Sequence, residues 1–515
     1  MLCMKLRLKI GSSTVVLISI SLAMACIWAP NVEAASLRAG VAVQDITSDA
    51  PTKNIHDPLY AKALVLDDGA TKAVIICVDI ISASDTLVSE VRRQVQKELG
   101  INQKNVLLNA SHNHHTWNQT AEDMTSRIVQ AVEQAASTTV PVKIGVGVGY
   151  EDRISMNRRL RLKNGKEWTI RRANPSPQDS EVVGLGSMDT EIGILRLDKV
   201  GGGILAVLYN FAVHPYGGIP DGSVTADLPG FASRVIEEAM GPGAVALFVQ
   251  GAAGDITPIR YKDFDAPPPT ERLGMMLGRS VIVTAKRLPM KEQSDIKVVS
   301  EIIELPKRQD VAVRIESLEE QQEEILRFFA GIGCGAHGAG TSLNFKSFLP
   351  LYIKYSIDPN YPSYSSYLYL AEQTTDRKDL KHLDAANKKR VGKYLQCIHK
   401  MEELIRLQTN LQILKRHLRE DDSRSLVVEI QGIRIGEFIL VTFPGELFAE
   451  VGLRLKKQSP FPHTFIAAYS NGNIGYAPTA DVYQNEAYED VLTRLSPHWQ
   501  QLYETKALAT IGELR

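Results

Sequence analysis

The chain has 515 residues, with 58 Lys and Arg against 59 Asp and Glu and a formal net charge of −1. That balance excludes the broad basic face with which proteins hold nucleic acid, and the length suffices for a large core in two or three structural units. Cys3 and Cys26 fall in the leader described next, so Cys77, Cys334 and Cys397 remain, too few and too scattered for a disulfide framework.

The first element is a processing signal. Lys5, Arg7 and Lys9 precede an apolar run at 15–28, and small residues lead to a cleavage point after Ala34. This is the order of a secretory signal peptide, and the run is too short and wrongly flanked for a membrane span. It implies a secreted or extracytoplasmic protein. Anchoring as a lipoprotein at Cys26 is the weaker reading, because Ala23 stands where leucine is expected.

From 36 to 305 strands and helices alternate. Residues 60–66 and 73–80 read as strands around the turn Asp67-Asp68-Gly69 and can form a hairpin. Cys77 lies in the second, in a run apolar enough for a buried core residue. Leu87, Val91, Val95 and Leu99 recur every fourth residue and predict an amphipathic helix. A short strand at 106–108 leads into the histidine cluster, a helix follows at 120–136, and core strands are expected at 204–213 and 245–249. From 306 to 425 the pattern turns helical and charged, with helices at 315–326 and 378–419 around a Gly-rich stretch (331–340) and a Tyr-rich one (361–369). This region reads as a helical insertion with solvated charges. Strands return at 426–430 and 437–441, a helix is expected from Glu446 through 455, and a last core strand at 465–468. The fold class is therefore α/β. A mixed β-sheet core with flanking helices carries function at its strand ends, the catalytic domain being split into 36–305 and 426–515.

The chemistry concentrates in four segments. In His112-Asn113-His114-His115 an extended backbone would put His112 and His114 on one face, about 7 Å apart at Cα. One could then bind a metal while the other faces the reacting group. His214 ends an apolar strand, Glu446 follows Pro444-Gly445, and Tyr476 lies in a Gly/Asn-rich loop. Each also has a plain structural reading: a satisfied core histidine, a carboxylate at a helix N-terminus, an exposed tyrosine. Together they offer two imidazoles, a carboxylate and a phenol, a set that catalytic Zn²⁺ accepts. The loop 250–258, with Asp255 and Thr257, can present N–H groups and a hydroxyl to an oxyanion, or it is a tight turn. Without a Gly-Lys-Ser/Thr ending it is not a phosphate loop. Asp79, at a strand end, could orient a ligand histidine or simply cap its strand.

In order, Gly40-Val41-Ala42-Val43-Gln44-Asp45-Ile46-Thr47, Pro58-Leu59-Tyr60-Ala61-Lys62, His112-Asn113-His114-His115, Asn210-Phe211-Ala212-Val213-His214, Gly254-Asp255-Ile256-Thr257-Pro258, Pro444-Gly445-Glu446 and Gly475-Tyr476 resemble the neutral/alkaline, non-lysosomal ceramidase family over roughly 38–490. The resemblance implies one zinc ion held by His112, His214, Glu446 and Tyr476. It implies catalytic roles for His114, Asp255 and Thr257, and substrate contacts from Arg158 (in Asn157-Arg158) and His115. It further implies hydrolysis of the N-acyl amide of ceramide or another N-acyl compound, a place in sphingolipid metabolism, and contact with a membrane surface. The chain departs from the family in three ways. Thr257 replaces a serine, His115 replaces the serine after the second histidine of the motif, and no C-terminal immunoglobulin-like domain is expected before Arg515.

Two other readings use the same residues. Arg158, Arg159, Arg161, Arg171 and Arg172, with Trp168, could grip an acidic glycan for an esterase, deacetylase or lyase. A non-catalytic surface protein could keep the scaffold alone.

Overall fold

The computed structural model describes residues 36–170, 177–259, 270–292, 295–332, 345–360, 374, 379–420, 423–485 and 487–515. The expected signal peptide, Arg171, Arg172, Cys334 and the Tyr-rich stretch lie outside them.

Eight strands form the larger sheet, in the order Val245–Gln250, Ile204–Phe211, Glu191–Lys199, Val140–Tyr150, Arg38–Asp45, Tyr60–Asp67, Lys72–Val78, Val106–Ala110. The expected hairpin is present, with Ala63 opposite Ile76. Neighbours run antiparallel except at the two edges, where the outermost pairs are parallel. A parallel pair needs a crossover. Helix Asp85–Leu99 supplies one and helix Asp227–Met240 the other. In the smaller sheet the strands Phe438–Thr442 and Thr464–Ala467 are also parallel, joined through helix Ala449–Gln458. The chain thus contains three crossovers whose strands end close together, the place where open α/β sheets carry ligands.

Alternation along the strands builds two layers of core. Leu64 and Leu66 point inward against Phe438 and Leu440 of the smaller sheet. Ala61, Ala63 and Val65 point outward, in one core with Val88 and Val91 of helix Asp85–Leu99 and with Ile128 and Val132 of helix Met124–Ser137. Helices Asp227–Met240 and Thr270–Ala285 cover the rest of that outer face, and helix Trp499–Glu513 covers the smaller sheet. The sheets approach closely where Gly193 meets Phe465, since a Cβ on Gly193 would lie 2.5 Å from the ring. The first crossover helix is capped by the Ser84 side chain and ends on Gly100 at φ 67°, a left-handed stop suited to glycine.

Helices Val311–Ile332, Phe345–Ile357 and Asp379–Glu420 leave the smaller sheet between two paired strands. Ile296–Pro306 and Ser425–Ile435 stay in register up to Pro306 opposite Ser425, so the excursion departs from and returns to one point. Where one or two long helices are expected at 378–419, the described residues form one helix, Asp379–Glu420, of 42 residues. Leu404, Leu407, Leu411 and Leu414 pack with Ile315, Leu318 and Ile325, and this cluster reaches Val491. Cys77 is a buried free thiol, and Cys397 is disulfide-bonded. None of the described helices is long and apolar enough to cross a membrane.

Two local expectations change. Residues after Ala110 do not continue extended, because His112 takes φ 62°. Nor does Glu446 open a helix. Glu446–Leu447 is a short strand paired in parallel with Tyr476–Ala477, and the helix begins at Ala449. A capping role therefore does not explain the Glu446 carboxylate.

Candidate metal centre

His112 and His214 leave the parallel edges of the larger sheet two and three residues beyond their strands. One side chain ties them together. Gln250, fully buried, donates from Nε2 to the carbonyls of Ser111 (2.9 Å) and Val213 (2.6 Å), the residues just before each histidine. Asn109 extends the latch to the smaller sheet, donating to the Ala468 carbonyl and the Ser470 hydroxyl.

The Nε2 atoms of His112, His114 and His214 lie 3.1 Å from one another in every pairing. The Nδ1 atom of His112 is 2.8 Å from the Ile81 carbonyl, and that of His214 is 3.2 Å from the Ala253 carbonyl. A carbonyl only accepts, so both Nδ1 atoms carry the proton. Their Nε2 lone pairs then face each other and cannot hydrogen-bond. Burial holds both imidazoles well below their ordinary value, and it lowers His114 to about 4, so all three are neutral at pH 7. A cation held between His112 and His214 removes their conflict. Tetrahedral coordination with bonds of about 2.1 Å separates ligand nitrogens by about 3.4 Å, close to the spacing found.

Glu446 completes this side. Its Oε2 is 3.6 Å from His112 Nε2 and is buried without a hydrogen-bond partner. Burial pushes the carboxyl up to about 7, against the opposing effects of Arg158 and a hydrogen bond with Tyr476. An unpartnered buried carboxylate oxygen beside the two imidazole lone pairs of His112 and His214 fits a cation. The register that pairs Glu446 with Tyr476 brings the phenol alongside. Tyr476 is 9% exposed, not the exposed tyrosine of the plainer reading. The resemblance separates His112 as ligand from His114 as a catalytic residue, whereas here the two stand equally near His214.

Around the histidines lies a buried polar network. Arg158 donates to Glu489 (2.8 Å), the Gly254 carbonyl (2.7 Å), the Tyr476 hydroxyl (3.2 Å) and the Tyr216 hydroxyl (3.4 Å). Tyr216 donates to the Thr257 hydroxyl at 2.8 Å. Arg159 is held by Glu167, Glu489 and Asp490. Arg161 lies near Glu167 and Glu450, and Arg406 stacks on Trp168. Arg159 and Arg161 line a small cavity of about 20 Å³ together with Glu167, Asp255 and Glu450.

Several expected roles are relocated. Asp255 accepts from the Ala449 N–H and from Asn157, so it clamps a helix start to a strand instead of facing the histidines. The Gly254 and Ile256 N–H groups donate to the Leu447 and Ala253 carbonyls and are not free for an oxyanion. His115 turns to Asp227, 2.8 Å away. Asp79 orients no histidine, since His112 uses Ile81 instead.

The sequence reading missed Glu489, Tyr216 and Tyr469. Tyr216 lies two residues after His214, close enough to have been tested. Tyr469 packs its ring 4.1 Å from that of His112, and its hydroxyl is buried without a partner. Glu489 and Tyr469 carried no local signal.

Residues 47–261 match the family model described as neutral/alkaline non-lysosomal ceramidase, N-terminal. Two solved structures share the fold, each over 93% of this chain and 75% of the other. They are neutral ceramidase from Pseudomonas aeruginosa, with 19% identity and a TM-score of 0.58, and a ceramidase complexed with C2, with 17% identity and a TM-score of 0.56. Identities this low speak for the fold alone, while the matched segment contains His112, His114, Arg158, His214, Asp255 and Thr257. Residues 47–261 thus match the N-terminal model of the neutral/alkaline non-lysosomal ceramidase family, and the chain as a whole shares the fold of these two ceramidases.

Proposed function

We propose that the protein is a secreted zinc-dependent amidohydrolase that cleaves the N-acyl amide bond of ceramide or a related N-acyl compound. The observation that carries the reading is the convergence of three neutral imidazole nitrogens beside an unpartnered carboxylate oxygen. His112, His214 and Glu446 would hold the ion, with Tyr476 as the phenol ligand. When bound, zinc supplies a Lewis acid that polarises a carbonyl and acidifies water. The protein's own residues do the rest. His114, neutral at pH 7, accepts the proton released as water adds to the acyl carbon and returns it to the departing amine nitrogen. Arg158, fixed by Glu489, steadies the Tyr476 hydroxyl and holds its positive charge behind that phenol. Thr257, hydrogen-bonded by Tyr216, keeps that wall of the site in place. The acidic-glycan reading has little support, because Arg158 and Arg159 are buried and paired.

The test is release of fatty acid from a fluorescent short-chain ceramide by the mature protein, with and without chelator. Chelator-sensitive hydrolysis is expected. His112→Ala should lower metal affinity roughly 100-fold or more, beyond the effect of losing an indirect partner, and abolish turnover. His114→Ala should keep the metal and lose turnover. Full activity in metal-free protein would overturn the mechanism, and a folded, metal-loaded protein that leaves ceramide intact would overturn the substrate.

A further inference from the structure

Asp79 is freed from the metal centre and faces a separate cavity of about 410 Å³, within the range that holds small organic ligands. The cavity lies between the strands carrying Lys62 and Cys77, Ser111 just past the end of its strand, and the helix carrying Glu237. His56 and Arg234 stand at its exposed rim.

The charges inside are mostly matched. Lys62 Nζ donates to Glu237 (2.7 Å) and to the Ala246 carbonyl (2.9 Å). Both oxygens of Asp57 are engaged, one with His56 and one by the Ala226 N–H. Two groups remain. Among the described residues Asp79 accepts a single hydrogen bond, from the Tyr60 N–H at 3.0 Å. The Ser111 hydroxyl, in a residue 3% exposed, has no partner at all. The two are neighbours across the parallel strands, one residue beyond the paired Val78 and Ala110.

An acceptor carboxylate and an unused hydroxyl call for a cationic donor with a hydroxyl of its own. Inside, Lys62 is paired with Glu237, so an anion meets an arginine only at the rim, at Arg234. A metal ion lacks ligands, because the only group of three metal-binding side chains among the described residues is the histidine trio. We propose that this cavity is a second binding site, for a small amino alcohol whose ammonium group pairs with Asp79 and whose hydroxyl meets Ser111. Burial, which pushes the Asp79 carboxyl up to about 6 against the pull of Lys62, fits a carboxylate awaiting its counter-ion. The site does not depend on the proposed reaction.

The test is calorimetric titration of the full metal-loaded protein with serinol, and with glycerol, acetate and inorganic phosphate as comparison probes. Saturable serinol binding is expected, with glycerol weaker and neither anion bound. Asp79→Asn should weaken serinol about tenfold or more, the worth of a charge-assisted hydrogen bond. Ser111→Ala removes only an unbonded hydroxyl and should weaken it severalfold at unchanged Tm, which keeps the proposal testable if the Asp79 variant folds poorly. Serinol affinity should be the same in metal-stripped protein. The proposal is overturned if serinol does not bind, if binding disappears with the metal, or if neither substitution weakens it.

Discussion

His112 takes its place through one backbone angle. At φ 62° it occupies a left-handed conformation that costs a non-glycine residue about 1–2 kcal/mol. Tyr469, at φ 54°, pays the same cost to lay its ring on the His112 imidazole. Outliers of this kind persist where surrounding contacts over-determine them, and here the Ile81 carbonyl and the Gln250 latch do so. Asp79 supplies a pH test at this scale. Its folded value of about 6 lies above the unfolded value of about 3.9. The folded protein therefore binds this proton more tightly. The stabilisation is complete below about pH 4 and is lost as pH rises through about 6. Thermal unfolding of amine-free protein should show the wild type losing Tm relative to Asp79→Asn across that window. Parallel curves would show that the carboxyl is solvated in the folded state.

Among elements, the strand Glu446–Leu447 is the most constrained. A Cβ on Gly254 would lie 2.3 Å from the Glu446 carbonyl oxygen, a backbone atom that cannot swing aside. Gly254→Ala should therefore displace the Glu446 strand, cost on the order of 1–3 kcal/mol as overpacking does, and weaken metal binding. Gly392, inside the long helix with nothing within 4 Å of its added Cβ, is the counterpart. Gly392→Ala should leave metal binding alone and stabilise by about 0.5–1 kcal/mol, read from chemical denaturation. The excursion of 311–420 is a third case. Its ends meet at the Pro306–Ser425 pair, so joining the strands by a short Gly-containing turn should preserve cooperative unfolding and metal binding. Catalysis should fall, because the cluster reaching Val491 no longer supports the neighbouring Glu489. Loss of metal binding in that shortened protein would mean the helices hold the sheets together.

For the whole molecule, the proposed ligands come from the edges of the larger sheet and from the short strand pair Glu446–Leu447 and Tyr476–Ala477, at chain positions as distant as His112 and Tyr476. An ion bound there links the two halves of the fold and binds only the folded state. Metal removal should lower stability by RT ln(1 + [L]/Kd), about 4 kcal/mol at a free concentration of 1,000 Kd. Calorimetry should show a lower Tm in chelator, restored by Zn²⁺, and an unchanged Tm would mean that the site binds no metal tightly. How much of this was legible in the sequence can be judged by residue. Apolar periodicity located the helix at 85–99 and the strands that carry His112 and His214, because alternation of burial is a local property of the chain. Order and spacing in His112-Asn113-His114, Pro444-Gly445-Glu446 and Gly475-Tyr476 were enough to suggest both the family and the candidate ligands. The sequence could not show that His112 is left-handed instead of extended, that Glu446 pairs with Tyr476 instead of capping a helix, or that Asp255 is a clamp. Nor could it show that Asp79 faces a cavity of its own. Those outcomes depend on which groups, hundreds of residues apart, lie within hydrogen-bond reach once two sheets pack, and only the tertiary structure decides that.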